Sequence, residues 1–130
     1  MAVRYLSLAD ALAIHAEMME RMGERPSPLR DSGLLESALT RPQMAAHYEG
    51  ADLVRQAALL AVGVSQNQPF LDGNKRTAYL TALIFLRAND RPMTGEPMAL
   101  ARQLVAVAER TDSLDAATGR FEDWLRANVE

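Results

Sequence analysis

The chain contains no cysteine, one lysine and two histidines among its 130 residues. The missing cysteine excludes thiolate nucleophiles, disulfide frameworks and sulfur-ligated zinc, so chemistry has to come from histidine, carboxylates, Lys/Arg or backbone amides. It also favours a cytoplasmic setting. No basic segment leads into an apolar run at the N-terminus, and no apolar stretch approaches the ~20 residues that span a bilayer, so no membrane partner is expected. A cationic excess is lacking too. Lys+Arg 14 against Asp+Glu 17 gives a net charge of −3, the opposite of the footprint that non-specific nucleic-acid binding requires, and no direct nucleic-acid partner is expected.

What is present reads as helix. The length suits one domain, taken as residues 1–130, which on folding hides roughly two-thirds of the surface its unfolded chain exposes. No alternating apolar and polar run is long enough for a strand, so the expected class is all-α, a compact bundle of about six helices. The first helix opens at Ser7 with Asp10 at N3, carries Leu8, Leu12, His15, Met19 and Met22 on one stripe, and stops at Gly23. A breaker stretch, Arg25-Pro26-Ser27-Pro28, precedes a short helix that opens at Asp31 and is expected to end where Pro42 blocks it, leaving 42–51 as a loop. Asp52 caps a third, largely buried helix that ends near Gln66. A fourth runs from about Asn74 to Arg87, apolar on nearly every side, as expected of the central helix of a bundle. A fifth covers 97–110. The sixth covers about 113–128, with Phe121, Trp124 and Leu125 facing inward.

The most informative stretch is the polar bend from Asn67 to Thr77, which feeds one acid and two bases into the start of the fourth helix. A helix N-terminus offers free N–H groups and the positive end of the macrodipole. Gly73 removes side-chain bulk where the turn tightens, so amides around Gly73, Asn74 and Lys75 can converge on an anionic oxygen. Lys75 and Arg76 add a point charge and a planar fork suited to phosphate, and Asp72 can hold Mg²⁺ against the same oxygens. The spacing fits neither Walker A nor the Rossmann fingerprint. A simple helix cap at Asp72 or Asn74 followed by solvated charges is the bland alternative. Against it stands Lys75, the sole lysine of an acidic chain.

Pro69-Phe70-Leu71-Asp72-Gly73-Asn74-Lys75-Arg76-Thr77 resembles the signature of the Fic/Doc (Fido) family, and its Doc form, H-x-F-x-D-x-N-K-R-T, is the better match. Leu12-Ala13-Ile14-His15, Arg30 to Leu39 with Arg41-Pro42-Gln43, and Ala82 to Asn89 resemble Doc segments in the same order. The resemblance implies an all-helical toxin of a Phd/Doc-type toxin-antitoxin module that takes ATP and Mg²⁺ and transfers a phosphoryl group to elongation factor Tu. It implies a metal ligand in Asp72, an anion hole at Gly73 and Asn74, phosphate ligands in Lys75 and Arg76, and an apolar anchor in Phe70. The implied partner is the C-terminal helix of a Phd-like antitoxin, laid in a groove of the bundle. The segment from about 41 to 49 is implied to lie beside the site.

One position departs from the pattern. The family's catalytic histidine falls on Gln68, whose amide does not titrate near neutral pH and can orient a hydroxyl but not deprotonate it. Transfer is therefore expected to be weakened or abolished, with nucleotide binding intact. Neither histidine is placed to compensate: His15 reads as a satisfied core imidazole, His47 as a solvated loop residue, and Tyr48 as packing. The seven methionines read as core filling. Two other readings stay open, a non-catalytic module that binds nucleotide or antitoxin, and an AMP-transferring Fic-type enzyme. The latter is disfavoured by Lys75, where Fic proteins usually carry a second small residue.

Overall fold

The computed structural model describes residues 2–130 as six helices: α1 Leu8–Arg21, α2 Ser32–Glu49, α3 Leu53–Asn67, α4 Asn74–Ala88, α5 Pro97–Ala108 and α6 Leu114–Arg126. Among the described residues the only β pairings are two isolated bridges, Leu29 with Phe70 and Met93 with Val129. The class is all-α, as expected. No helix is long and apolar enough to cross a membrane.

Local chemistry sets the starts. Ser7 and Asp10 form a reciprocal capping box on α1, and Asp31, Asp52 and Ser113 each accept a backbone N–H of the helix they begin. Tertiary packing sets the rest. Pro42 was expected to end the second helix, yet α2 continues through it to Glu49. A mid-helix proline costs about 3 kcal/mol by losing one hydrogen bond and crowding the carbonyl four residues back. Here Pro42 is itself buried, in line with Leu35, Ala38, Leu39 and Ala45 on the face turned to α3, and burial of that whole face offsets the local penalty. Residues 42–49 are therefore helix, not loop, and His47 sits in its last turn.

The central helix is α3 and not α4. It packs against α2, α4, α5 and α6, and every residue from Gln56 to Ser65 is buried. Small residues allow this: a Cβ on Gly63 would come within 3.2 Å of the Ala38 Cβ and 3.3 Å of its Cα, so the two backbones meet with no room for a methyl. In α4, by contrast, Leu80 and Leu83 are half-buried and Ile84 faces solvent. Apolar count misleads there, because the face that packs is built on Thr77, Ala78, Thr81, Ala82, Phe85 and Leu86.

An ion-pair network closes the end of the bundle where α3 begins. Arg55 bonds Glu122 at 2.8 Å and Glu49 at 3.1 Å, and Arg126 bonds Asp52 at 2.6 Å and Glu122 at 2.9 Å. The Arg126 hydrogen bond holds the Asp52 carboxyl below the usual carboxylate range. Asp52→Asn keeps a capping side chain but loses this pairing. With the partners 46% and 56% exposed, solvent screening keeps the loss below about 1 kcal/mol. A depressed carboxylate stabilises fully above its unfolded value, about 3.9, and that contribution disappears as pH falls through the lower folded value. Melting curves of parent and variant should thus differ by roughly 2–4 °C at pH 7 and converge in acid. A gap that persists in acid would assign the effect to something other than the Asp52 charge.

Candidate active site

The loop between α3 and α4 is built from the outside in. Gln68 caps α3 in the left-handed region, φ 49° and ψ 59°. Arg30 holds it there: its Nε donates to the Gln68 carbonyl at 2.8 Å and its guanidinium to the Asn67 carbonyl at 2.9 Å. A cation at two end carbonyls also complements the negative end of the α3 dipole. The Arg30 and Asp31 amides donate to the Pro69 carbonyl, and the Leu71 amide donates to the Pro28 carbonyl. The breaker stretch thus runs alongside the loop as a strap.

Phe70 is 2% exposed and stacks on His15, ring centroids 3.7 Å apart and planes 5° apart. Asn74 closes the turn over it, accepting the Phe70 N–H at 3.0 Å and donating to the Phe70 carbonyl at 2.9 Å. The Asn74 side chain is consequently engaged inside the loop, and only its main-chain N–H is available at the helix end. Gly73 begins α4 with φ 84°, and neither Asp72 nor Asn74 supplies a side-chain cap. A Cβ on Gly73 would lie 2.8 Å from Met18 Cε, 3.1 Å from Met19 Sδ and 3.4 Å from His15 Cδ2. Both the backbone angle and the close approach of α1 call for glycine.

Among the described residues, the first-turn amides of Asn74, Lys75 and Arg76 have no hydrogen-bond partner, whereas the Thr77 amide already bonds the Gly73 carbonyl. They open on a cavity of about 480 Å³ whose wall includes all six residues singled out in the sequence: Gln68, Asp72, Gly73, Asn74, Lys75 and Arg76. Asp72 takes the Gly73 N–H on Oδ1 at 2.8 Å, and among the described residues no hydrogen bond reaches its other oxygen.

The far walls were not foreseen. Met18, Met19, Met22 and Glu24 come from α1 and its exit, Ser65 and Gln66 from α3, and Ala108 from α5. Met18 and Met19 are buried, but Met22, Met44 and Met98 are 42%, 54% and 53% exposed, so the reading of the methionines as core filling fails for these three. Tyr48 is 74% exposed, its ring set edge-on to that of His47 with centroids 4.6 Å apart, which corrects its reading as packing. No residue of 41–49 lines the cavity. Leu34 meets Asn67 at the site end of α2, and Ala51, just past the other end, meets Gln56, so 41–49 lies along the part of α3 remote from Gln68.

A family model described as Fic/DOC family matches residues 5–86, which include the whole of this loop. The chain belongs to the Fic/DOC family. Within the family it lies on the Doc branch. It is similar to a protein named protein kinase doc from Escherichia phage P1, 35% identical over 127 residues that span 92% of this chain and 100% of the relative. It is also similar to a protein named toxin Doc from Mycolicibacterium smegmatis, 42% identical over 105 residues that span 76% of this chain and 79% of the relative. Gln68, which places an amide side chain on the cavity wall, lies within the stretch that the family model matches.

Proposed function

We propose that this chain is a Doc-like toxin that binds ATP with Mg²⁺ in the α3–α4 cavity and whose phosphoryl transfer to elongation factor Tu is weakened or abolished by Gln68. The observation that carries the reading is the convergence of three unpartnered amides, two cations and one carboxylate on a single cavity. The names of its relatives, a protein kinase and a toxin, support the reaction class and the biological role.

The residues fit a nucleotide and its metal. Free amides at the start of a 15-residue helix, with the macrodipole behind them, favour phosphate oxygens, and Lys75 and Arg76 add opposite charge. Among the described residues no three His, Asp or Glu side chains gather to hold a metal. That suits Mg²⁺, which is commonly held by one or two carboxylates together with phosphate oxygens and water, and the unengaged Asp72 oxygen is the protein ligand. When bound, the ion would neutralise charge on the phosphates. In the transfer, an acceptor hydroxyl oxygen bonds to the γ-phosphorus, the bond from that phosphorus to the β-phosphate oxygen breaks, and ADP leaves. The hydroxyl proton needs an acceptor. Gln68 can align the hydroxyl but cannot take its proton.

A partner surface of the right kind adjoins the cavity. An apolar groove of about 550 Å³ between α1, α4 and α5 shares Met18, Met22, Lys75 and Arg76 with it and continues over Tyr79, Leu80 and Met98. Its exposed methionines suit the apolar face of an amphipathic helix, which supports a Phd-like antitoxin C-terminal helix as the partner. Gln68 favours one other reading, a module that retains nucleotide and antitoxin binding without transfer.

Calorimetric titration with ATP and Mg²⁺ tests the site. Binding should be measurable for the parent, and Lys75→Gln should weaken it about 10- to 100-fold, the usual range for losing a charged hydrogen bond. An unchanged affinity would move the phosphates away from α4.

A further inference from the structure

His15 is 2% exposed, and its role so far is to stack on Phe70. Its ring has a second contact that bears on the site. Nε2 lies 2.9 Å from the Asp72 carbonyl oxygen. A carbonyl can only accept, so Nε2 carries the proton and donates. Ser27 Oγ, 3.2 Å from the same Nε2, accepts the Asp72 N–H at 3.2 Å and donates to the Asp72 carbonyl at 3.0 Å. Both main-chain polar groups of Asp72 are therefore satisfied by two side chains that lie 57 and 45 residues away in sequence.

The consequence passes through one peptide plane. The unit between Asp72 and Gly73 is planar, so fixing the carbonyl of Asp72 fixes the opposite direction of the Gly73 N–H. That N–H donates to Asp72 Oδ1 at 2.8 Å. The chain of contacts thus runs from His15, through the peptide plane, to the carboxylate. Within the loop the plane is held by the Gly73 N–H bond to Asp72 Oδ1, and because glycine at φ 84° tolerates several orientations, the contacts from His15 and Ser27 add to that hold from outside.

We propose that His15 and Ser27 are positioning residues: through the Asp72–Gly73 peptide they set where the Asp72 carboxylate and the first amides of α4 face. The proposal rests on the nucleotide-site reading for its functional consequence, but not for its structural one. His15→Phe keeps a flat ring against Phe70 and removes the donor. His15→Gln keeps an N–H near the place of Nε2 and gives up the stacking. Ser27→Ala, at a half-buried position, removes the hydroxyl with little risk to folding.

Amide hydrogen exchange in the ligand-free protein and Mg·ATP titration are read together. His15→Phe and Ser27→Ala should each speed exchange at Asp72 and Gly73 by about tenfold and weaken Mg·ATP by a similar factor, about one hydrogen bond's worth. Exchange in the middle of α3 should stay at the parental rate. His15→Gln should restore both site readouts to within about twofold of the parent. Parental exchange and affinity in His15→Phe and Ser27→Ala would overturn the proposal. So would a His15→Gln variant as impaired as His15→Phe, since that would make the ring merely structural. If the parent itself fails to bind Mg·ATP, the nucleotide-site reading falls, and the exchange rates alone decide whether these two side chains set the peptide.

Discussion

Gln68→His is expected to raise phosphoryl transfer to elongation factor Tu by about 10²- to 10⁴-fold, the usual contribution of a positioned base. The backbone is ready for it. Residue 68 sits at φ 49° and ψ 59°, a left-handed geometry in which histidine is enriched relative to most residues, and Arg30 grips the carbonyl whichever side chain is present. An imidazole with its ordinary value near 6.5 is largely neutral at pH 7.5 and free to accept the hydroxyl proton. Transfer of label from γ-labelled ATP, followed from pH 5.5 to 8.5, should rise through about pH 6.5 in the variant. The parent should stay low and flat. Equal rates would remove residue 68 from the chemistry, and label transferred only from the α-phosphate would replace the kinase-type reading with AMP transfer. No transfer from either protein would favour the non-catalytic module.

Phe70→Ala should give the largest loss of stability of any substitution in the loop, about 3–5 kcal/mol, the range for emptying a buried aromatic site. Phe70 is among the largest fully packed side chains of the core and is the only one of them contributed by the loop. Its removal also strips His15 of its stacking partner and frees the turn that Asn74 closes. Whole domains are stable by only about 5–15 kcal/mol, so the urea midpoint should fall by about 2 M for an m-value near 2 kcal/mol/M. Leu71→Ala is the matched control. Leu71 is the next residue but 63% exposed, and its truncation should change stability by less than about 0.5 kcal/mol. Similar losses for the two would show that the loop is not anchored through Phe70.

Much of this was legible in the sequence because the deciding interactions are local. Ser7, Asp31 and Asp52 cap helices by bonding amides a few residues on, and the motif residues line one cavity because they share one turn and one helix start. The misses all depend on distant partners. Pro42 is a helix breaker by its own chemistry, and only the face it completes against α3 keeps α2 intact. The choice of α4 as the central helix followed apolar content, whereas burial follows how closely backbones approach, and Gly63 against Ala38 decides that for α3. His15, Ser27 and Arg30 carry no local sign of a role at the loop. Their bonds to residues 67–72 cross 37 to 57 residues of sequence, and only the resemblance of Arg30 and His15 to family segments hinted at more than packing. The methionines at 18, 19 and 22 looked like filler because helical spacing does not reveal that the stripe runs out of the core and along a cavity.

The central claim, that phosphates lie on the start of α4, is tested most directly by following backbone amide resonances during titration with Mg·ATP. The account predicts that the largest shifts fall on Gly73, Asn74, Lys75 and Arg76, the amides that face the cavity or adjoin it, with Asp72 close behind. Shifts concentrated elsewhere on the bundle, with these amides unmoved at saturation, would contradict it.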